Sequence, residues 1–199
     1  MLDKEIISAI RDFAYNNYEK EDIHGYPHVE RVYNTCIQIG LESNANLLVL
    51  KIASLFHDIG RINKKKYDLY KNHGEISAEI ALNFLKSANF KLAKADVDNI
   101  IHCIKVHSFS SKLIPQTLEA KILSDADKLD AIGAIGLYRT IGFTVKNNGG
   151  LDQVIEHLEN KIIKLKDLLY LDISKELAEE RQSIVLDFFN KIKKEREFS

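Results

Sequence analysis

Apolar residues recur along this chain at spacings of three and four, which is the period of an α-helix that buries one face. A first helix is predicted over residues 6–17, and a second from Pro27 onward, where proline fits the first helical turn. The segment from Leu47 to Ile59 is apolar around most of its circumference, which is typical of a central, buried helix. Strict alternation of apolar and polar residues never persists for more than a few positions. The pattern therefore predicts an all-α fold.

A polar segment without clear periodicity, residues 61–71, follows the central helix. It contains the run of lysines at positions 64–66, which we interpret as a solvated loop in preference to a mobile lid over phosphates. Helical patterns then resume. Two long amphipathic stretches, at about residues 151–169 and 174–195, finish the chain.

Length and composition fit one globular domain. The chain has 199 residues, of which 45% are hydrophobic, with 2 prolines and 9 glycines. This is enough to bury a sizeable core, so we predict a single domain over residues 1–199, with its core at about 20–145 and C-terminal helices at about 150–197. Cys36 and Cys103 are too few for a disulfide framework and are predicted to be buried core residues.

Charge and hydropathy limit the partners. Lys and Arg total 28 against 29 Asp and Glu, so no global field attracts nucleic acid and no stable nucleic-acid partner is expected. The start of the chain is charged and lacks the apolar core of a signal peptide, and no segment approaches ~18 consecutive apolar residues. We therefore expect a cytoplasmic protein without a membrane span.

The apolar stripes of the C-terminal helices fit either closure of the core or a homodimer interface, and we favour the homodimer.

A titratable pair, His57-Asp58, interrupts the apolar central helix. Burial of an ionised aspartate is costly unless a cation or strong donors compensate it. A satisfied structural pair is one interpretation. Three other residues favour a second interpretation, a metal site: His28 and Asp125, which lie in apolar helical patterns, and His73, which begins the helix after the lysine-rich loop. Imidazole and carboxylate groups from separate helices suit a divalent first-row metal ion.

Three segments carry a resemblance to a known family, namely His24–Val32, Leu55–Gly60 and Asp125–Gly133. In this order they resemble the HD-domain metal-dependent phosphohydrolase superfamily, most closely its small stand-alone branch, which includes nucleotide pyrophosphohydrolases. The resemblance extends from about residue 20 over nearly the whole chain. It implies an HD-domain helical bundle with a metal site between its helices. The metal ligands that it implies are His28, His57, Asp58 and Asp125.

The resemblance also implies which cations fit. One divalent ion is expected, such as manganese, magnesium, cobalt or nickel, and zinc or iron would suit the same ligands. Dinuclear members of the superfamily hold a second ion with two further histidines, bridged by the aspartate of the pair. Here the candidates are His73 with His102 or His107, and we regard a second ion as the less favoured option. His73, Glu75 and His107 also match positions that line the pocket in related members.

The implied activity is hydrolysis of nucleoside or deoxynucleoside triphosphates to a monophosphate and pyrophosphate by a metal-activated water. Asp58 or Glu75 would orient or deprotonate that water, and we select Glu75 as the base. A first-turn carboxylate favoured by the helix dipole is the alternative role for Glu75. Arg31 and Lys128 are candidates for contacting the phosphates, or else for ion pairs that fix the metal ligands.

Two other functions are compatible with the same residues. One is a phosphomonoesterase or phosphodiesterase that acts on another small phosphate ester. The other is a metal-stabilised helical regulatory module with little turnover. For both hydrolase functions, the triphosphate hydrolase and the phosphoesterase, the expected partner is a small phosphorylated substrate, and a nucleotide is favoured.

Overall fold

The computed structural model of the chain describes residues 2–61, 72–108, 111 and 113–197. Within these ranges the chain contains α-helices, short 3₁₀ segments, turns and irregular connections, so the predicted all-α class is confirmed. The lysine run at positions 64–66, interpreted above as a solvated loop, lies outside the described residues. In the described ranges the α-helices are α1 (Leu2–Asn17), α2 (Tyr26–Glu42), α3 (Leu47–Phe56), α4 (His73–Ser87), α5 (Lys94–Val106), α6 (Leu118–Asp130), α7 (Gly133–Lys146), α8 (Leu151–Asn160) and α9 (Asp172–Arg196).

The chain divides into two compact units, Met1–Ala126 and Asp127–Ser199. In the first unit α3 is central, because α1, α2 and α5 all pack against it. Leu50, Ile52 and Phe56 of this helix are completely buried. The structure thus confirms the central, buried helix that the apolar pattern predicted, while the boundaries proposed for a single domain stay a prediction.

Helix α3 ends at Phe56, three residues before the Ile59 end that the apolar pattern predicted. In a continuing helix the N–H of Asp58 would bond to the carbonyl of Ser54. That carbonyl instead accepts a hydrogen bond from the ring of His57, and the N–H of Asp58 donates to the phenol oxygen of Tyr18. The helix therefore stops, and a turn carries the His57-Asp58 pair into a short 3₁₀ segment, Ile59–Arg61.

The second unit contains the C-terminal helices, with α7 packed on α8 and α9. The amphipathic stretch predicted at about 151–169 consists of α8 and two 3₁₀ segments, Ile162–Lys164 and Lys166–Leu168. A buried ion pair joins Arg139 of α7 to Asp130, with 2.7 Å between nitrogen and oxygen. Among the described residues, no helix combines the length and apolar character required to cross a bilayer. The homodimer stays a prediction.

Candidate metal centre

Two buried histidines, His57 and His107, occupy the same position at the ends of different helices. His57 follows the last residue of α3, and His107 follows the last residue of α5. Each ring donates from Nδ1 to the carbonyl three residues earlier, Ser54 or Ile104, at 2.7 Å. These are among the last carbonyls of their helices, which have no hydrogen-bond partner within the helix. The bond fixes each tautomer, so both Nε2 atoms present a lone pair.

The side chain of Asp58 lies between two sets of buried imidazoles. Its Oδ2 is 3.7 Å from His28 Nε2 and 4.0 Å from His57 Nε2. Its Oδ1 is 3.3 Å from His73 Nε2 and 3.4 Å from His107 Nε2. We call His28, His57 and Asp58 the first ligand group, and Asp58, His73 and His107 the second ligand group. In each group the candidate ligand atoms all lie within 4.8 Å of one another.

Donor chemistry in this cluster fits a divalent metal ion. Asp58 Oδ1 and His107 Nε2 are buried, and neither atom has a hydrogen-bond partner in the described part of the chain. In the first ligand group, the Nε2 atoms of His57 and His28 face each other at 3.2 Å. Because His57 carries its proton on Nδ1, this approach requires a proton on His28 or a cation nearby. Buried nitrogen and oxygen donors of this kind are the ligands that zinc, manganese and related ions accept.

Close backbone contacts at two glycines bring the ligand-bearing segments together. A Cβ atom on Gly60 would lie 2.5 Å from the carbonyl oxygen of His73, so only glycine allows the turn after Asp58 to approach the start of α4 this closely. A Cβ atom on Gly74 would lie 3.0 Å from the carbonyl oxygen of Lys105, at the end of α5. These contacts hold the second ligand group in place.

The electrostatics of the cluster centre on Asp58. Burial by itself would raise the pKa of this carboxyl group, but the neighbouring Arg61 guanidinium lowers the pKa well below its usual range. Arg61 Nε donates to Asp58 Oδ2 at 2.6 Å. Burial beside this carboxylate also raises the pKa of the Tyr18 phenol well above its usual value. The aspartate is therefore ionised at neutral pH, as a metal ligand must be.

Arg61 and Tyr18 are the site residues that the sequence analysis missed. The position of Arg61, directly after the His57-to-Gly60 turn, was an available signal, because a cation three residues beyond a buried aspartate can reach it. Tyr18 lies 40 positions before Asp58, and no spacing rule connects the two residues.

Asp125, the fourth ligand implied by the resemblance, is a fully buried residue of α6. Its neighbour Ser124 donates from Oγ to the backbone carbonyl of His107 at 2.9 Å. This bond ties α6 to the residue that ends α5. Asp125 belongs to neither ligand group defined above, so its role as a ligand stays a prediction.

His102 and Glu75 are engaged in other contacts. His102 Nε2 accepts a hydrogen bond from the N–H of Gln116 at 3.0 Å, and His102 is in neither ligand group. Glu75 Oε2 accepts the N–H of Asn72 while Asn72 Oδ1 accepts the N–H of Glu75, each at 3.0 Å. This reciprocal pair is a capping box at the start of α4 and matches the first-turn role considered for Glu75. The base and second-ion roles of these residues stay predictions.

Arg31 and Lys128 are the two predicted phosphate contacts. The guanidinium of half-buried Arg31 donates to the carbonyl of Asp22 at 3.2 Å. Lys128 is buried in the second unit, and its Nζ lies 5.0 Å from the centre of the Tyr170 ring. Asp130, the last residue of α6, forms an ion pair with Arg139. Binding of phosphate by Arg31 or Lys128 stays a prediction.

Comparison with known proteins connects this geometry to a family. The HD domain profile matches residues 25–132. YpgQ of Bacillus subtilis is 33% identical over 181 residues, which cover 86% of this chain and 84% of YpgQ. The crystal structure of YpgQ in complex with ADP gives a TM-score of 0.77 at 29% identity, covering 98% of this chain and 97% of that one. A predicted HD-superfamily hydrolase from an uncultured Thermotogales bacterium gives a TM-score of 0.66 at 26% identity, covering 96% and 91%. The chain belongs to the HD-domain family.

Proposed function

We propose that this protein is a divalent-metal-dependent phosphohydrolase that cleaves nucleoside or deoxynucleoside triphosphates to a monophosphate and pyrophosphate. Manganese is the preferred ion in this proposal, and the reaction takes place in the cytoplasm. The observation that carries the proposal is the buried cluster of four imidazoles around one carboxylate, in which the Nε2 atoms of His28 and His57 face each other at 3.2 Å, with Asp58 Oδ2 3.7 Å from His28 Nε2.

Each residue of the first ligand group has a defined task. His57 presents Nε2 because Nδ1 is held by the carbonyl of Ser54, so the ring needs no reorientation to coordinate. Asp58 supplies the negative charge that keeps a cation in a buried place. Asp125 completes the set from α6 in this proposal. A divalent ion bound there lowers the pKa of water and neutralises charge on a phosphoryl oxygen.

Proton transfer in this proposal involves a carboxylate two positions after His73. Glu75 is the proposed base, and its Oε1 is the oxygen for that role because Oε2 already accepts the Asn72 N–H. Arg31 is proposed to meet phosphate oxygens, since a guanidinium can donate two parallel hydrogen bonds to a phosphate.

The most specific element of the proposed function is that the substrate is a nucleotide. Its support is that the relative YpgQ was crystallised with ADP, a nucleoside diphosphate. The chain's net charge of -1 also suits a small polyanion that is bound by one metal ion and local cations. The same cluster would act on another phosphate ester in the alternative hydrolase function.

The decisive experiment separates the products. Purified protein is incubated with manganese and a panel of nucleoside and deoxynucleoside triphosphates, and phosphate and pyrophosphate are quantified independently. We expect pyrophosphate and a monophosphate from at least one triphosphate. Release of phosphate alone would overturn cleavage between the α and β phosphates and would favour a phosphomonoesterase. No product above that of the Asp58→Ala variant, across several metals and phosphate esters, would overturn the hydrolase and favour a regulatory module.

Metal content tests the proposed ligands without turnover. After manganese loading and gel filtration, the wild-type protein is expected to retain an ion that the His57→Ala and Asp125→Ala variants lose. The matched control is His157→Ala, because this histidine lies on α8 in the second unit, where its ring contacts Phe143. Equal manganese retention by the wild type and Asp125→Ala would remove Asp125 from the ligand set.

A further inference from the structure

The guanidinium of Arg61 contacts both ligand groups. Its Nε donates to Asp58 Oδ2 at 2.6 Å, and its Nη2 lies 3.0 Å from His73 Nε2. Because a guanidinium has donors and no acceptor, the Nε2 of His73 must accept this hydrogen bond. His73 is therefore neutral, with its proton on Nδ1.

The two acceptors differ in how many partners they can take. A carboxylate oxygen has two lone pairs, so Asp58 Oδ2 can accept from Arg61 and still coordinate an ion. The Nε2 of a neutral imidazole has one lone pair. At His73 the hydrogen bond to Arg61 and the coordination of a cation through Nε2 therefore exclude each other. The second ligand group loses one of its three ligands while this contact is made.

Arg61 also supplies the positive charge that this part of the cluster needs. The Asp58 side chain is 1% exposed and that of Arg61 is 31% exposed, so a solvent-facing cation meets a desolvated carboxylate. Charge-assisted hydrogen bonds of this kind are short and strong. The backbone helps to hold the contact, because the N–H of Arg61 bonds to the carbonyl of Asp58 at 3.0 Å.

We propose that the guanidinium of Arg61 takes the place of a second metal ion, so that this protein holds one divalent ion per chain, at the first ligand group. Arg61 is then a positioning residue that sets the metal stoichiometry. The inference rests on the proposed function only for the presence of a divalent ion. It is independent of which phosphate ester is cleaved.

The test counts manganese ions. Wild-type protein and the Arg61→Met variant are loaded with manganese, and bound ions per chain are measured by elemental analysis after gel filtration and by calorimetric titration. Methionine keeps an apolar stem of similar length but cannot donate to His73. We expect one ion in the wild type and two in Arg61→Met, with the affinity for the second ion raised about tenfold or more, the scale on which residues around metal ligands alter affinity.

Two further variants locate the additional ion and control for loss of an arginine. The double variant Arg61→Met, His107→Ala is expected to return to one ion, because it removes a ligand of the second group. Arg11→Met removes an arginine whose Nη1 donates to Glu30 Oε1 at 2.7 Å, outside both ligand groups, and is expected to keep one ion. Circular dichroism checks that each variant is folded, and Arg61→Ala replaces Arg61→Met if the latter is not.

The outcomes separate this inference from the proposed function. Two ions in the wild type with similar affinity, or one ion in folded Arg61→Met and Arg61→Ala, would overturn the role of Arg61 alone. A wild-type protein that binds no ion under any loading condition would overturn the metal centre, and the inference with it. One ion in the wild type and two in the Arg61 variant would support the inference whether or not a nucleotide is hydrolysed.

Discussion

The phenol oxygen of Tyr18 accepts a hydrogen bond from the backbone N–H of Asp58 at 3.2 Å, and both groups are buried. This contact joins the chain just after α1 to the turn that presents the central carboxylate of the cluster. It also replaces the helical bond that Asp58 would make if α3 continued. The position of Asp58 thus depends on Tyr18, which belongs to neither ligand group.

Tyr18→Phe should lower both stability and metal affinity. The ring remains, but the N–H of Asp58 loses its acceptor, and an unsatisfied buried donor costs about 1–3 kcal/mol. Urea unfolding of the metal-free protein measures the first effect, and manganese titration the second. Tyr15→Phe is the matched control, because Tyr15 lies on the neighbouring helix with its side chain 52% exposed. Equal stability and metal affinity in the two variants would show that the Tyr18 hydroxyl does not position Asp58.

Glu75→Gln separates the two roles of this side chain. A glutamine at the same position can accept the N–H of Asn72 through its amide oxygen, so the capping box and the melting temperature should be retained. It cannot act as a base at neutral pH. The proposed role therefore predicts a fall in kcat of about 100-fold or more, without a change in manganese affinity.

Glu75→Ala provides the comparison, because it removes the base together with the Glu75 half of the capping box, while Asn72 still accepts the backbone N–H of residue 75. It should lower kcat as Glu75→Gln does and also lower stability by about 0.5–1.5 kcal/mol, the usual net contribution of one hydrogen bond. Steady-state kinetics and urea unfolding measure the two effects. Wild-type kcat in Glu75→Gln, with a loss of stability confined to Glu75→Ala, would leave Glu75 with the capping role alone.

How far the site was predictable depends on the kind of interaction. His28 and His57 were identifiable because a polar residue inside an apolar helical pattern stands out, and the HD motif flanks them. Tyr18 was not, because its contact with Asp58 depends on how a turn and a helix end pack in three dimensions. Arg61 was overlooked, although its position three residues after Asp58 was a local signal.

Helix ends show the same limit. The apolar pattern continues through Ile59, so periodicity alone extends α3 to that residue. The helix stops at Phe56 because the His57 ring takes the carbonyl of Ser54, and sequence patterns do not show which donor a carbonyl will accept. By contrast, the observed bounds of α9, Asp172–Arg196, agree closely with the predicted stretch 174–195. The apolar residues of this helix recur on one face, so the periodicity alone locates it.

His102 should make stability depend on pH. Burial lowers its pKa below the ordinary value of about 6.5, and its Nε2 accepts the N–H of Gln116, which requires the neutral ring. The unfolded chain therefore binds a proton at a higher pH than the folded chain does. The stabilising contribution is complete above about pH 6.5 and is lost as the pH falls below that value towards the folded-state pKa.

His102→Gln should reduce this loss of stability on acidification. Glutamine does not titrate, and its amide oxygen can accept the Gln116 N–H. The comparison is the difference in the free energy of unfolding between about pH 7.5 and about pH 5, measured with urea in the metal-free wild type and variant. Proton NMR of the His102 ring should give a pKa below that of histidine in the unfolded chain. A normal or raised NMR pKa would contradict the half-buried, neutral ring.

Gly60→Ala tests whether close packing of the turn on α4 maintains the metal centre. A Cβ atom there would lie 2.5 Å from the His73 carbonyl oxygen and 2.8 Å from the Ser77 backbone nitrogen, so the backbone of the turn or of α4 must move. We expect a loss of about 1–3 kcal/mol in stability, typical of overpacking, and weaker manganese binding because Asp58 shifts with the turn. Gly150→Ala is the control, since its Cβ would meet only the Gln153 side chain, at 3.6 Å. Thermal unfolding and manganese titration of both variants provide the measurement. If Gly60→Ala bound manganese as tightly as Gly150→Ala, the ligands would have to be held by contacts other than this approach of the turn to α4.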